Sequence, residues 1–222
     1  MKHSELSERL KKSLELKGSP VGVKLIKVGE KLPSISEPEK PMPYCASIAE
    51  ARKGEIIFLG KDKHGCPLGA AILGLRNVPE KMASGEAHFS AGLSSSPAAA
   101  SKTVSEIPRI SAETIQATLV FPLEKAVLEP EVVILNVKPG QALWVALALN
   151  YSRGGRISST FAGIGCICGD ATVIPYLKNN PNFTPGDFGG RKGRAPEEMI
   201  VGIPVSLLEE VVTNLEKLGC PR

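Results

Sequence analysis

The chain has 222 residues, a formal charge of +4, 42% hydrophobic residues and only 5% aromatics. With 22 Gly and 18 Pro it stays below the roughly 25–30% Gly plus Pro of low-complexity chains, so it folds around a core. The longest unbroken apolar run, Ala142 to Leu149, is far short of the roughly 20 residues a spanning helix needs. The scattered Lys and Arg and the scarcity of stacking rings argue against nucleic acid as a partner.

Residues 1–18 read as an N-terminal amphipathic helix, with Leu6, Leu10 and Leu14 near helical spacing and Gly18 as its stop. The segment has no apolar signal core, which makes the cytoplasm the expected compartment. VGVKLIK after Ser19-Pro20 reads as a strand. A loop punctuated by Pro33, Pro38, Pro41 and Pro43 then delivers the chain to Tyr44-Cys45, where a helix through Ala51 is expected. Glu55 to Leu59 reads as a short strand. Pro67 suits a first helical position, which puts Cys66 at the N-cap of a helix through Leu75, and a second short helix follows Pro79.

Residues 84–105, rich in Ser, Ala and Gly, suit either a mobile lid or a helix beginning at Pro97. Strands are expected over Gln116 to Leu123 and Val132 to Val137, then a helix opened by Pro139-Gly140, then a short strand from Arg156 to Thr160. A Gly-rich turn, FAGIGCICGD, leads into a helix over Ala171 to Leu177. Pro181 to Arg194 reads as a loop, Met199 to Ile203 as a strand, and Val205 to Leu218 as a closing amphipathic helix. Helices and strands interleave without a strict βαβ period. The expected architecture is a single compact α+β (mixed α/β) domain over residues 1–222.

In a reducing compartment cysteines serve as metal ligands, reactive thiols or small core residues rather than disulfides. Cys45, Cys66 and the Cys166/Cys168 turn each precede a helical pattern, where free N–H groups and the helix dipole favour thiolate. Cys45, Cys66 and Cys168, with Cys166 as the fourth, are therefore a candidate ligand set for an iron–sulfur cluster, with zinc the alternative. His64 lies beside Cys66 and is placed to tune or ligate that site. His88, in the Ser/Gly-rich stretch, reads as a surface residue. Asp170 is either a helix cap or an acceptor behind the cysteines. Arg191 and Arg194, in the loop GDFGGRKGR, could hold a carboxylate or phosphate. Cys220 reads as a tail residue.

The ordered blocks PVGVKLI, YCASIAEARKGE, CPLGAAILGL, FPLEKAVLEPEVVILNVKPGQALWVALAL, CGDATVIPY and EEMIVGIPVSLLEEVV resemble domain-of-unknown-function family 169, from about residue 19 to 218. The resemblance implies that Cys45, Cys66 and the turn with Cys168 belong to the family pattern. It also implies a Gly-Cys pair in the basic loop, where this chain has Gly186-Asp187; that departure makes Cys166 the substitute fourth thiolate. No substrate or catalytic residue follows from it.

Three functions compete on these grounds. One is an iron–sulfur redox or electron-transfer protein that meets a redox partner and acts on or senses a small anionic molecule. Another is a metal-free small-molecule-binding or regulatory domain with structural cysteines. The last is a thiol enzyme using Cys66 or Cys168. Self-association as a homo-oligomer stays open.

Overall fold

A computed structural model describes residues 2–187 and 195–219. At its centre is a six-stranded sheet built from β1 (Val21–Lys27), β2 (Ile57–Gly60), β3 (Ile115–Pro122), β4 (Val132–Val137), β5 (Asn182–Thr184) and β6 (Met199–Pro204). The strand order is β2-β3-β1-β4-β6-β5, and each neighbouring pair is antiparallel. The α+β architecture expected from the interleaved pattern is the one observed.

Both faces of the sheet are covered, which is why β4 reads VVILNV rather than alternating apolar with polar. Val133, Leu135 and Val137 point to one side, against α1 (Lys2–Leu14), α7 (Pro139–Asn150) and α9 (Val205–Leu218). Val132 and Ile134 point to the other, against α2 (Tyr44–Lys53), α3 (Pro67–Ile72), α6 (Pro97–Glu106) and a π-helical segment over Cys166–Val173. This second face has the shorter, less regular cover. It also receives two small helices, α4 (Glu80–Ala83) and α5 (Glu86–Ser90), and is followed beyond the π-helical segment by α8 (Ile174–Lys178).

The π-helical segment lies almost on the sheet because β6 carries Gly202 under it. A Cβ at Gly202 would stand 2.0 Å from the Ala171 carbonyl oxygen, so any other residue would push the segment, and Cys168 with it, away.

Several boundaries differ from the expected ones. Helix α1 stops at Leu14 rather than near Gly18, since Glu15 adopts a φ of +51° and the Leu14 carbonyl accepts a 2.5 Å hydrogen bond from Gln141. Helix α3 ends at Ile72, before Gly74 turns with a φ of +82°. Arg156 to Thr160 is not a strand. Asn182 bonds both the N–H and the carbonyl of Thr160 through its side-chain amide, and the Ser159 hydroxyl accepts from the Phe183 N–H, so side chains take the place of a ladder. The partner in that exchange, β5, lies in a stretch expected to be loop. Residues 84–105 hold α5 and the start of α6.

Candidate functional site

Two local ties bring Cys45 and Cys66 together. Met42 forms a parallel bridge with His64: the Met42 N–H donates to Lys63 and the Gly65 N–H donates back to Met42, at 3.0 and 2.9 Å. The chain then enters α2 two residues after Met42 and α3 three residues after His64. Cys66 is the N-cap of α3, and its sulfur accepts the Gly69 N–H at 3.3 Å. The Tyr44 ring stacks on His64 with centroids 6.5 Å apart, which fixes the start of α2 over the bridge.

A third tie adds Cys168. The Thr172 hydroxyl donates to the Ile167 carbonyl at 2.7 Å, which leaves its oxygen to accept from the Tyr44 hydroxyl at 3.0 Å. The π-helical segment is thereby pinned to the start of α2. Gly69 supplies the remaining clearance, because a Cβ there would sit 3.0 Å from the Cys168 sulfur and 3.5 Å from the Cys66 sulfur. Those two sulfurs are therefore no more than about 6.5 Å apart.

Cys45, Cys66 and Cys168 line one cavity of about 290 Å³. Most of its remaining wall is apolar, with Leu68, Met82, Leu93 and Ile164; the polar residues are Tyr44, whose hydroxyl is bonded to Thr172, with His88 and Asp187, and no described Lys or Arg lines it. Burial, and then the proximity of Cys66 and Cys45, pushes the Cys168 thiol well above the ordinary range. Among the described residues, no group of three or more His, Cys, Asp or Glu is drawn tightly enough to hold a single metal ion.

The other expected residues fall elsewhere. Cys166 does not line the cavity. It is fully buried, its backbone N–H donates to Asp187 at 3.1 Å, and its thiol lies against Thr184 and Asp170. Burial pushes that thiol up to about 12. Asp170 neither caps a helix nor faces the cavity: its carboxylate accepts from the Thr184 hydroxyl at 3.3 Å, and burial raises its pKa to about 6. His64 is buried 3.1 Å from the Thr118 hydroxyl, and burial followed by the Arg76 charge pushes it down to about 4, so it is a neutral anchor of the bridge. Arg191, Arg194 and Cys220 lie outside the described residues.

Two groups at the cavity were not read as site residues. Asp187 reaches it from the position where the resemblance implied a cysteine. His88 is only 8% exposed, although its Ser/Gly/Ala-rich surroundings suggest a surface loop. Nothing in the local pattern marks it, since the packing of α5 against α4 and α6 turns it inward. A second cavity of about 200 Å³ shares Cys45 as a wall and is otherwise lined by Lys17, Arg52, Lys53, Asn136 and Ile167, among others. Arg52 is held there by a bidentate pair with Glu198 at 2.6 and 2.8 Å.

Fold and site together define a mixed α+β protein that gathers thiols from three separate segments into one apolar cavity. The chain belongs to domain-of-unknown-function family 169 (DUF169, described as an uncharacterised ArCR), whose profile matches residues 9–214. It is 35% identical over 221 residues to the uncharacterized protein MJ0308 of Methanocaldococcus jannaschii, covering 96% of this chain and 94% of that one. No solved structure matches it. Among the described residues, no helix is long and apolar enough to cross a membrane.

Proposed function

We propose that the chain is a redox or electron-transfer protein that holds an iron–sulfur cluster on Cys45, Cys66 and Cys168. The supporting observation is the meeting of these thiols, from α2, α3 and the π-helical segment, in a cavity lined by no described Lys or Arg. Thiolates gathered in so apolar a place repel one another unless positive charge joins them, and iron supplies it. Each thiol would give up its proton to solvent on iron binding. The cluster would supply a one-electron couple for exchange with a redox partner, and the apolar wall would limit water access and tune the potential.

Zinc is the weaker candidate. Its thiolates must crowd within tetrahedral reach of a single ion, with Zn–S near 2.3 Å, whereas cluster ligands stand further apart because each binds its own iron. The thiol-enzyme reading is weaker still, since an activated nucleophile needs a lowered pKa and Cys168 is pushed the other way. A small anionic ligand would meet Lys17 in the second cavity behind Cys45, beside Arg52 and Lys53, which already pair with Glu198 and Glu50.

The apolar walls also favour a second reading, a metal-free pocket for a small organic molecule. Anaerobic purification with iron and sulfide analysis and a visible spectrum separates the two. The cluster reading expects a brown protein whose broad absorbance bleaches on dithionite. A colourless, iron-free protein whose melting temperature rises with an organic anion selects the pocket. In that case Cys66→Ala and Cys168→Ala change stability by about 1–3 kcal/mol and nothing else.

A further inference from the structure

The cluster reading leaves one polar group of the cavity unused. His88 is 8% exposed, and its Nδ1 is buried with no hydrogen-bond partner. A buried ring nitrogen left unpaired destabilises the fold, so its retention calls for an explanation. Among the described residues, three other buried side-chain nitrogens lack partners, on His3, His64 and Arg76, and none of those residues lines the thiol cavity. His88 does. Its helix, α5, is short and starts close against α6, where a Cβ at its N-cap Gly85 would stand 2.1 Å from the Pro97 carbonyl oxygen. Of the other polar residues there, Asp187 already accepts the Cys166 N–H and the Tyr44 hydroxyl is bonded to Thr172.

We infer that His88 is the fourth ligand of the centre, so that three thiolates and one neutral imidazole hold the cluster. This rests on the cluster reading above and adds a ligand to it. An imidazole in place of a thiolate makes the bound cluster one charge less negative and raises its potential. It also makes the His88 corner the one that a small ligand would displace with least loss, since a neutral nitrogen is exchanged rather than a thiolate.

The test uses full-length chain reconstituted anaerobically with ferrous iron and sulfide, made with ¹⁵N-histidine, alongside His88→Ala and His88→Cys. Pulsed EPR of the reduced wild-type cluster is expected to show coupling to a histidine ¹⁵N. That coupling disappears in both variants. Iron and sulfide per chain are retained in His88→Cys, whose midpoint potential falls below wild type. A wild-type cluster without histidine coupling, or a His88→Cys potential equal to wild type, overturns the role of His88 and leaves the cluster reading standing. A wild-type chain that takes up no iron overturns both. Should His88→Ala fail to fold, the wild-type spectrum decides alone.

Discussion

The two faces of the sheet are built by different rules. The face under α1, α7 and α9 is covered by helices of 12 to 14 residues, and α1 and α9 each turn one regular apolar stripe to the core. Its polar groups pair at the surface, as Arg9 does with Glu216 at 2.7 Å and Lys2 with Glu209 at 2.8 Å. A larger cavity of about 720 Å³ opens on this side, lined by Lys12, Trp144, Glu216 and their neighbours, and no described cysteine lines it. The opposite face is covered by α2, α3 and a π-helical turn, and the thiol cavity lies there. Regular helices bury area efficiently but present few groups inward, whereas short helices and a π turn point several side chains at one place. Both faces bury a core, and only the one with the irregular cover carries the thiol cavity.

If that division holds, damage to the first face costs stability and leaves the site alone. Leu208 of α9 is fully buried, and Leu208→Ala is expected to cost about 2–5 kcal/mol in denaturant unfolding while the folded fraction loads iron as wild type does. Loss of loading in the folded fraction would break the comparison.

The next effect belongs to the bridge beneath the cysteines. His64 titrates at about 6.5 when unfolded and about 4 when folded, so between those values the unfolded chain takes up a proton that the folded one refuses. Stability therefore falls as pH drops from about 6.5 to 4, by up to about 1.4 kcal/mol per unit. His64→Gln flattens that limb; an unchanged slope would place the proton uptake elsewhere.

Gly202→Ala sharpens the comparison, because it sits on the sheet but pushes only on the π-helical segment. A cost of about 1–3 kcal/mol is expected, together with weakened iron retention. Full retention would mean that Cys168 does not depend on that seat.

The smallest effect lies on the side covered by α1. Burial alone would raise the Glu124 carboxyl, but hydrogen bonds from Lys11, Ser19 and Ser7, at 2.5, 2.6 and 2.8 Å, hold it down at about 2. Its contribution is complete above about pH 4.5 and is lost as pH falls towards 2. Glu124→Gln is expected to cost about 1 kcal/mol at neutral pH and to remove that acid dependence, measured by thermal melts across pH.

The same division explains what could be read from the sequence. The regular parts, β4 and α9, carry unambiguous patterns, and α9 spans the residues its apolar spacing predicts. Cys66 at a helix N-cap was legible from Pro67. The irregular parts were not. A three-residue strand after Pro181 leaves no periodicity, and the Thr160–Asn182 exchange replaces a ladder with side chains. Two cysteines one residue apart in the same turn look equivalent on paper, yet a π-helical turn sends Cys168 into the cavity and Cys166 towards Asp170 and Thr184. His88 depended on tertiary packing alone.

That split between neighbouring cysteines offers the most direct measurement of the central claim. Iron per chain is compared after identical anaerobic reconstitution of wild type, Cys168→Ser and Cys166→Ser. Cluster binding at the thiol cavity predicts that Cys168→Ser loses most of its iron and that Cys166→Ser keeps it. Equal iron in the two variants, whether both full or both empty, would contradict the site.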